Sequence, residues 1–307
     1  MKHPAVIALD LGGTKLAGAV FGPNGRIAHR SVVPLEGRAG REVSELICGQ
    51  FAGLRDAART NHRTVVSVGI SVPGISRSRT GTVWAPNIPR WEDYPLRREL
   101  RAAIGDKGIP LTIESDRACY IMGETWRGVA QGCRNAIFVA VGTGIGAGIM
   151  VEGQVLRGAH DIAGAIGWLA LDRPYQRKYV GCGCFEYHAS GQGLARVARE
   201  QGLDCTSARE VFAALKRRNP TARKVVAQAV EFWGMAVANL VSLFNPEKII
   251  FGGGVFGPGT EFLDDIYREA RKWAQPVSIK QVKLQASSLG SDAGLYGAAA
   301  LALQARR

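Results

Sequence analysis

The stretch AVIALDLGGTKLAGAVF, Ala5 to Phe21, decides how the rest of the chain is read. An apolar run from Val6 to Leu9 ends at Asp10. Gly12, Gly13, Thr14 and Lys15 follow, and Leu16 to Phe21 resumes an apolar run. Two short apolar runs parted by a glycine-rich turn predict a β-hairpin. The turn carries more chemistry than a connection needs. Glycines let the backbone approach a ligand closely, and their N–H groups, with the Thr14 hydroxyl, can face phosphate oxygens. Asp10, at the strand end, is a carboxylate suited to Mg²⁺, held through water. The plainer alternative is a tight hairpin with a solvated Asp10 and Lys15.

The pattern recurs. NAIFVAVGTGIGAGIMVEGQVLRG, Asn135 to Gly158, is again strand, glycine turn, strand, glycine turn, strand. A gapless shift of 130 residues pairs Gly12 with Gly142, Ala17 with Ala147 and Gly18 with Gly148. Two phosphate-facing hairpins in two similar halves predict a duplicated α/β fold that clamps a nucleotide in a cleft between two lobes. Asp10 pairs with Ala140, so only the first hairpin carries the carboxylate.

Six stretches, in order along nearly the whole chain, carry a resemblance to the ROK family (repressors, open reading frames and sugar kinases). They are DLGGTK at Asp10–Lys15, SVPG at Ser71–Gly74, APNIPRWEDYPL at Ala85–Leu96, ESD at Glu114–Asp116, VGTGIGAGI at Val141–Ile149 and IIFGGGV at Ile249–Val255. The resemblance implies the two-lobed actin/hexokinase-like (ribonuclease H-like) fold, with a small lobe at 1–116 plus a returning helix at 292–307, and a large lobe at 117–291. It implies ATP-dependent phosphorylation of a sugar hydroxyl, the sugar being a hexose or amino-hexose. Asp116 is then the catalytic base, as phosphoryl transfer needs a carboxylate to orient the hydroxyl and accept its proton. Asp10 organises Mg²⁺, Gly12, Gly13, Thr14 and Lys15 form one phosphate turn, and Gly142, Thr143 and Gly144 form the other. Gly252, Gly253 and Gly254 match the adenosine segment. Gly74, Asn87, Ser115, Asp116 and Glu186 match sugar contacts. By itself, Asp116 also reads as a strand-end residue capping the next helix, and Asn87 as an ordinary turn residue.

The departures from the family pattern are informative. Ser115 stands where the family has Asn. The usual G-E-x-G-H, with a sugar-binding Glu and a zinc-binding His, is Gly164-Ala165-Ile166-Gly167-Trp168. In the usual C-x-C-G-x-x-G-C-x-E, the first two cysteine positions are Arg177 and Tyr179, and only Cys184 and Glu186 remain. One zinc ligand of four is left, so no zinc is expected. Trp168 is expected to pack on Phe185 or Tyr187 in its place. Cys182, Cys184, His188 and His160 offer an alternative metal set, against which the short C-x-C spacing argues. Gly252, Gly254 and Gly257 satisfy G-x-G-x-x-G, but the strand expected after them, VSIKQVKL, ends without the acid a dinucleotide site requires.

The chain has 307 residues, 46% hydrophobic and 21% charged, the composition of an ordinary globular protein with a sizeable core. Its formal charge is +13, with short basic clusters at Arg97-Arg98, Lys216-Arg217-Arg218 and Arg306-Arg307 and no long basic run between aromatics. This reads as a solvated basic surface without a nucleic-acid partner. No signal-peptide pattern and no long uninterrupted apolar run is present, so no membrane partner is expected. Six cysteines suit reduced thiols in a cytoplasm. The family resemblance adds a homodimer. The first strand begins so early that no helix-turn-helix domain is expected. The alternative function is a catalytically weak ROK-type sugar-binding or regulatory protein without such a domain.

The remaining elements follow from periodicity. Val43, Leu46, Ile47, Phe51, Leu54 and Ala58 predict a helix, and Thr64–Val72 a buried strand. Ile75–Tyr94 reads as a loop, Pro95–Gly105 as a helix and Leu111–Glu114 as a strand. Later helices are expected at Ala189–Gln201, Ser207–Arg218 and Ala222–Phe244, and from Thr260 to Ala274, with a strand at Lys248–Phe251 and another near Val277–Leu284. Ser207 with Glu210 reads as a capping box, and Ser291 with Asp292 as the cap of a final helix.

Overall fold

A computed structural model describes residues 3–305, so the Arg306-Arg307 pair lies outside the described residues. The chain divides into two units. Unit 1 runs up to Gln131 and adds Arg157–Ile162 and the segment from Ser291 onward; unit 2 is Gly132–Leu156 with Ala163–Gly290.

Unit 1 holds β1 (His3–Leu11), β2 (Lys15–Phe21), β3 (Ile27–Pro34), α1 (Arg41–Thr60), β4 (Arg63–Val72), the short β5 (Ile75–Ser76) and β6 (Val83–Trp84), α2 (Leu96–Ile104), β7 (Leu111–Ser115) and α3 (Asp116–Arg127). Its sheet has the order β3-β2-β1-β4-β7. The first three strands are antiparallel, and β1, β4 and β7 are parallel. Strand β1 is apolar from Ala5 to Leu9 because both of its faces are covered there. Ile7, Leu9 and Leu11 join the core with Val43, Ile47, Phe51 and Leu54 of α1. Val6 and Ala8 face Leu295, Ala298, Ala299 and Ala302.

Unit 2 repeats this plan with β8 (Ala136–Val141), β9 (Ile145–Val151), β10 (Gln154–Val155), helices α4 (Cys184–Ala189), α5 (Gly191–Glu200), α6 (Ala208–Lys216) and α7 (Pro220–Phe244), then β11 (Lys248–Gly252), α8 (Leu263–Trp273) and β12 (Lys283–Ala286). The order β10-β9-β8-β11-β12, with the same pattern of parallel and antiparallel neighbours, is that of unit 1 element for element. The duplication expected from two glycine hairpins is therefore present in the topology. Helix α7 is long and apolar enough to cross a membrane by length and composition, a feature the sequence reading passed over. However, 61% of its most apolar window is buried within the protein. Trp233 is fully enclosed there.

The final helix, α9 (Ala293–Gln304), belongs to unit 1. It packs on α3 through glycines. A Cβ on Gly297 would lie 1.8 Å from the Cys119 carbonyl oxygen, and one on Gly123 would lie 2.4 Å from that of Ala293. This packing holds α3 in unit 1, so the unit extends to Gln131 and not to residue 116 as expected.

Local expectations are corrected in four places. The segment after Pro73-Gly74 carries the β5–β6 hairpin and is pinned by Trp91, fully buried, stacked on Tyr94 at 4.7 Å and donating to the Gly40 carbonyl. VSIKQVKL is a 3₁₀ turn at Ser278–Lys280 followed by a strand only from Lys283. Asp292 makes no cap bond to α9; both its oxygens accept from Arg30, at 2.9 and 2.7 Å. Ser207 does cap α6, but Glu210 reaches the N–H and hydroxyl of Thr206, one residue earlier than a capping box requires.

Candidate active site

Parallel strands in an open α/β sheet gather functional groups at their C-terminal ends. In unit 1 those ends lie in register: Asp10 of β1 pairs with Ser71 of β4, and Ser71 pairs with Glu114 of β7. Asp116 follows at once as the first residue of α3. The first hairpin closes through Gly12 N–H donating to the Lys15 carbonyl at 2.9 Å. Asn87 is carried to this turn, its Nδ2 lying 3.2 Å from where a Cβ on Gly13 would sit. Gly74 is at φ +80, and a Cβ there would meet the Trp84 carbonyl oxygen at 2.1 Å, so the β4–β5 turn requires glycine. Asp10, Gly12, Gly13, Asn87, Ser115 and Asp116 are thus assembled in one unit.

Charge at this site is unusual. Burial pushes the Asp10 carboxyl from 3.8 to about 6, the Ser71 hydroxyl draws it back, and the Asp116 charge pushes it further up. Ser71 itself is fully buried, and its oxygen makes no hydrogen bond of ordinary geometry. Burial also raises Asp116, countered first by the Arg117 guanidinium, then by the Arg117 N–H, which donates to Oδ1 at 2.8 Å. The Tyr120 hydroxyl stands 3.5 Å from Oδ2.

Three participants were missed in the sequence. Arg117 donates to the Gly74 carbonyl at 3.2 Å, beside the base. Tyr120 lies one helical turn beyond Asp116. Gly294, in the first turn of α9, lets the helix approach Asp10, since a Cβ there would lie 2.5 Å from Oδ1. Tyr120 had a signal, its spacing of four residues from Asp116 on a helix. Gly294 had none, because its partner is 284 positions away.

Ser115 plays a local part. Its hydroxyl accepts the Ala118 N–H as the N-cap of α3, at 3.4 Å. The cap is therefore Ser115 and not Asp116, which leaves the Asp116 side chain to the site.

In unit 2 the two remaining glycine turns sit together. Gly252 is in register with Ala140, and Gly253, at φ +91, packs so that a Cβ would lie 2.4 Å from the Val141 carbonyl oxygen. The Gly142–Gly144 turn is closed by its own 3.0 Å bond and by the Gly191 N–H donating to the Gly142 carbonyl. Glu186 reaches the same turn. Its Oε2 accepts the Ile145 N–H at 2.6 Å, and burial raises its carboxyl against that bond and against Arg196.

The segment bearing Ala165 and Trp168 departs from expectation. Trp168 is 60% exposed and does not pack on Phe185 or Tyr187. Tyr179 supplies the support, its ring 5.5 Å from Tyr187 and its hydroxyl 2.9 Å from His188 Nε2 and 3.1 Å from Asp172 Oδ2. His188 stacks on Phe232 at 4.5 Å, and burial lowers its pKa, which favours the neutral ring. An aromatic cluster thus fills the neighbourhood of Tyr179. Among the described residues no group of three His, Cys, Asp or Glu is placed to hold a metal ion.

The raised Asp10 pKa has a measurable consequence. The folded state holds this proton more tightly than the unfolded chain, so stability falls as pH rises from about 4 to about 6 and stays reduced above that. Without Mg²⁺, Asp10→Asn is expected to raise Tm at about pH 8 and to leave it unchanged at about pH 3, where the carboxyl is protonated in both states, by the same linkage. Equal shifts at the two pH values would place the origin elsewhere.

The sequence profile described as the ROK family matches residues 6–305. A glucokinase of Halalkalibacterium halodurans is 30% identical over 95% of this chain and 92% of its own. The crystal structure of a ROK hexokinase from Thermus thermophilus superposes with a TM-score of 0.83 at 32% identity, covering 98% of each chain. A ROK family glucokinase from Streptomyces griseus, in complex with glucose and AMPPNP, superposes with a TM-score of 0.78 at 29% identity, covering 98% of this chain and 99% of that one.

Proposed function

The chain belongs to the ROK family, and we propose that it is an ATP-dependent sugar kinase with Asp116 as its catalytic base. Kinase relatives span nearly its whole length and share its fold. The observation that carries the assignment of roles is the position of Asp116. It opens α3 at the end of β7, in the sheet where β1, separated from β7 by β4, carries Asp10 next to its last residue.

Asp116 accepts the proton of the sugar hydroxyl as that oxygen attacks the γ-phosphorus of ATP and the bond from that phosphorus to the β–γ bridging oxygen breaks, ADP leaving with the electron pair. Burial raises its basicity, and a base is most effective with a pKa near the working pH. Arg117 limits that rise. The N–H groups of the Gly12–Thr14 turn, with Lys15, and of the Gly142–Gly144 turn hold phosphate oxygens, while Gly252–Gly254 lines the adenosine. Asn87 and Gly74 orient the sugar, with Ser115 and Glu186 as further contacts. Mg²⁺ suits the site: it keeps most of its waters and needs only one or two carboxylates besides the nucleotide. Asp10, with the buried Ser71 hydroxyl beside it, provides such a donor. When bound, the ion neutralises phosphate charge as it develops. The reading includes a homodimer acting in the cytoplasm, in keeping with six cysteines that are free thiols.

The altered edge at Ala165 and Trp168 bears on the substrate. Without a carboxylate and an imidazole there, glucose loses two polar partners, and a hexose or amino-hexose with a less polar or differently oriented group fits better. An ADP-release assay over hexoses, N-acetylhexosamines and amino sugars tests both statements. Turnover of one sugar in the panel is expected, with a glucose kcat/KM below about 10⁵ M⁻¹s⁻¹, the ordinary range of a true substrate. Absence of turnover with every sugar would defeat the kinase assignment. A higher glucose value would defeat the substrate reading alone.

A further inference from the structure

The geometry points to Arg157 as a positioning residue for the catalytic base, acting through Glu114; this rests on Asp116 being that base. The chain leaves unit 2 at Leu156, lends Arg157–Ile162 to unit 1 and returns at Ala163. Arg157 opens this excursion. Its Nε and Nη2 both donate to Glu114 Oε2, at 2.7 and 2.6 Å. The Glu114 side chain is 8% exposed, against 45% for Arg157.

From Glu114 the connections lead to the base. Its Oε1 accepts the Ser115 N–H at 2.9 Å. The Ser115 hydroxyl in turn caps α3, whose first residue is Asp116. A guanidinium, a buried carboxylate, a strand end and a helix cap therefore form one connected series, and Asp116 projects from its last member. The far end of the excursion is also tied down: Asp161 Oδ2 accepts from both the N–H and the hydroxyl of Ser78, each at 3.0 Å.

The charge makes the arrangement demanding. Glu114 is a buried acid two residues from Asp116 and in register, through Ser71, with Asp10. Without a paired cation such a buried carboxylate is driven toward water, which disturbs the turn it holds. A guanidinium presents two prongs in a fixed plane, which a lysine ammonium does not. Arg157 touches neither Asp116 nor any residue assigned to the nucleotide. Its effect is expected in kcat and not in ATP binding.

The test uses the full chain with Mg·ATP and the best sugar of the panel. Arg157→Ala is expected to lower kcat by about 10²-fold, the usual cost of a misplacement of about 1 Å, with the KM for ATP held within about twofold. Arg157→Lys should lose about tenfold, because it keeps charge without the fork. Added guanidinium should restore activity to Arg157→Ala and not to Asp116→Asn. Glu114→Gln combined with Arg157→Ala should cost no more than about threefold beyond the single change, since both act through one pair. A residue that only staples the loop would lower Tm and leave kcat of the folded enzyme intact. Wild-type kcat in Arg157→Lys, or additive losses in the double variant, would overturn the inference, and the first of these is decisive even where Arg157→Ala does not fold. An active Asp116→Asn would instead remove the base on which it rests.

Discussion

Asp116→Asn is expected to lower kcat by at least about 10²-fold, the scale of a lost general base, with the fold and ATP affinity kept. The amide is nearly isosteric and its oxygen can still accept the Arg117 N–H, so α3 should start as before. What is lost is a group able to take the hydroxyl proton. In the wild-type enzyme, the raised pKa places the acid limb of the rate profile above the ordinary carboxylate range, with activity falling as pH drops through it. Activity of the variant within a few-fold of wild type, with the acid limb unmoved, would take Asp116 out of the mechanism.

The largest structural effect is expected from Gly297→Ala. The added Cβ would stand 1.8 Å from the Cys119 carbonyl oxygen and 2.4 Å from its carbon. Both atoms belong to helix backbone, so no side chain can swing aside. Overpacking costs about 1–3 kcal/mol where side chains can adjust, and this contact should reach or exceed the upper figure. For a unit of this size, that corresponds to a Tm lower by roughly 10 °C. The control is Gly49→Ala inside α1, where a Cβ meets nothing within 4 Å. That change should stabilise by up to about 1 kcal/mol through helix propensity. Thermal melts of the two variants decide the matter: shifts of the same sign and size would mean that the α3–α9 approach is not close-packed.

Much of the candidate site was legible because its signals are local. A turn that needs glycine advertises itself in four or five residues, and a strand ending in Asp or a helix opening with Ser-Asp does the same. Tyr120 lay one helical turn beyond Asp116 and was readable by spacing. The segment after Pro73-Gly74 was misread as a loop because Trp84 and Trp91 follow no regular period. Trp91 is buried by its stacking on Tyr94 and its bond to Gly40, a residue half a unit away in sequence. Trp168 was expected to pack inside as a large ring standing where the family pattern has a zinc-binding His, yet Tyr179 occupies that role because its hydroxyl finds both His188 and Asp172.

By itself the sequence determined the elements and their duplication, since hydrophobic periodicity and turn chemistry depend on residues within a few positions of one another. It also determined which residues could carry the chemistry, through motifs of three to twelve residues. Tertiary structure alone decided how those residues are tuned. Asp10 is raised to about 6 by burial beneath elements contributed from both ends of the chain, and Gly294 is required by a carboxylate 284 positions earlier. The Arg157–Glu114 pair joins residues 43 positions apart, across a detour of the chain that no periodicity announces. Desolvation, close approach and ion pairing depend on distance in space, and a linear sequence reports that distance only where neighbours along the chain are also neighbours in the fold.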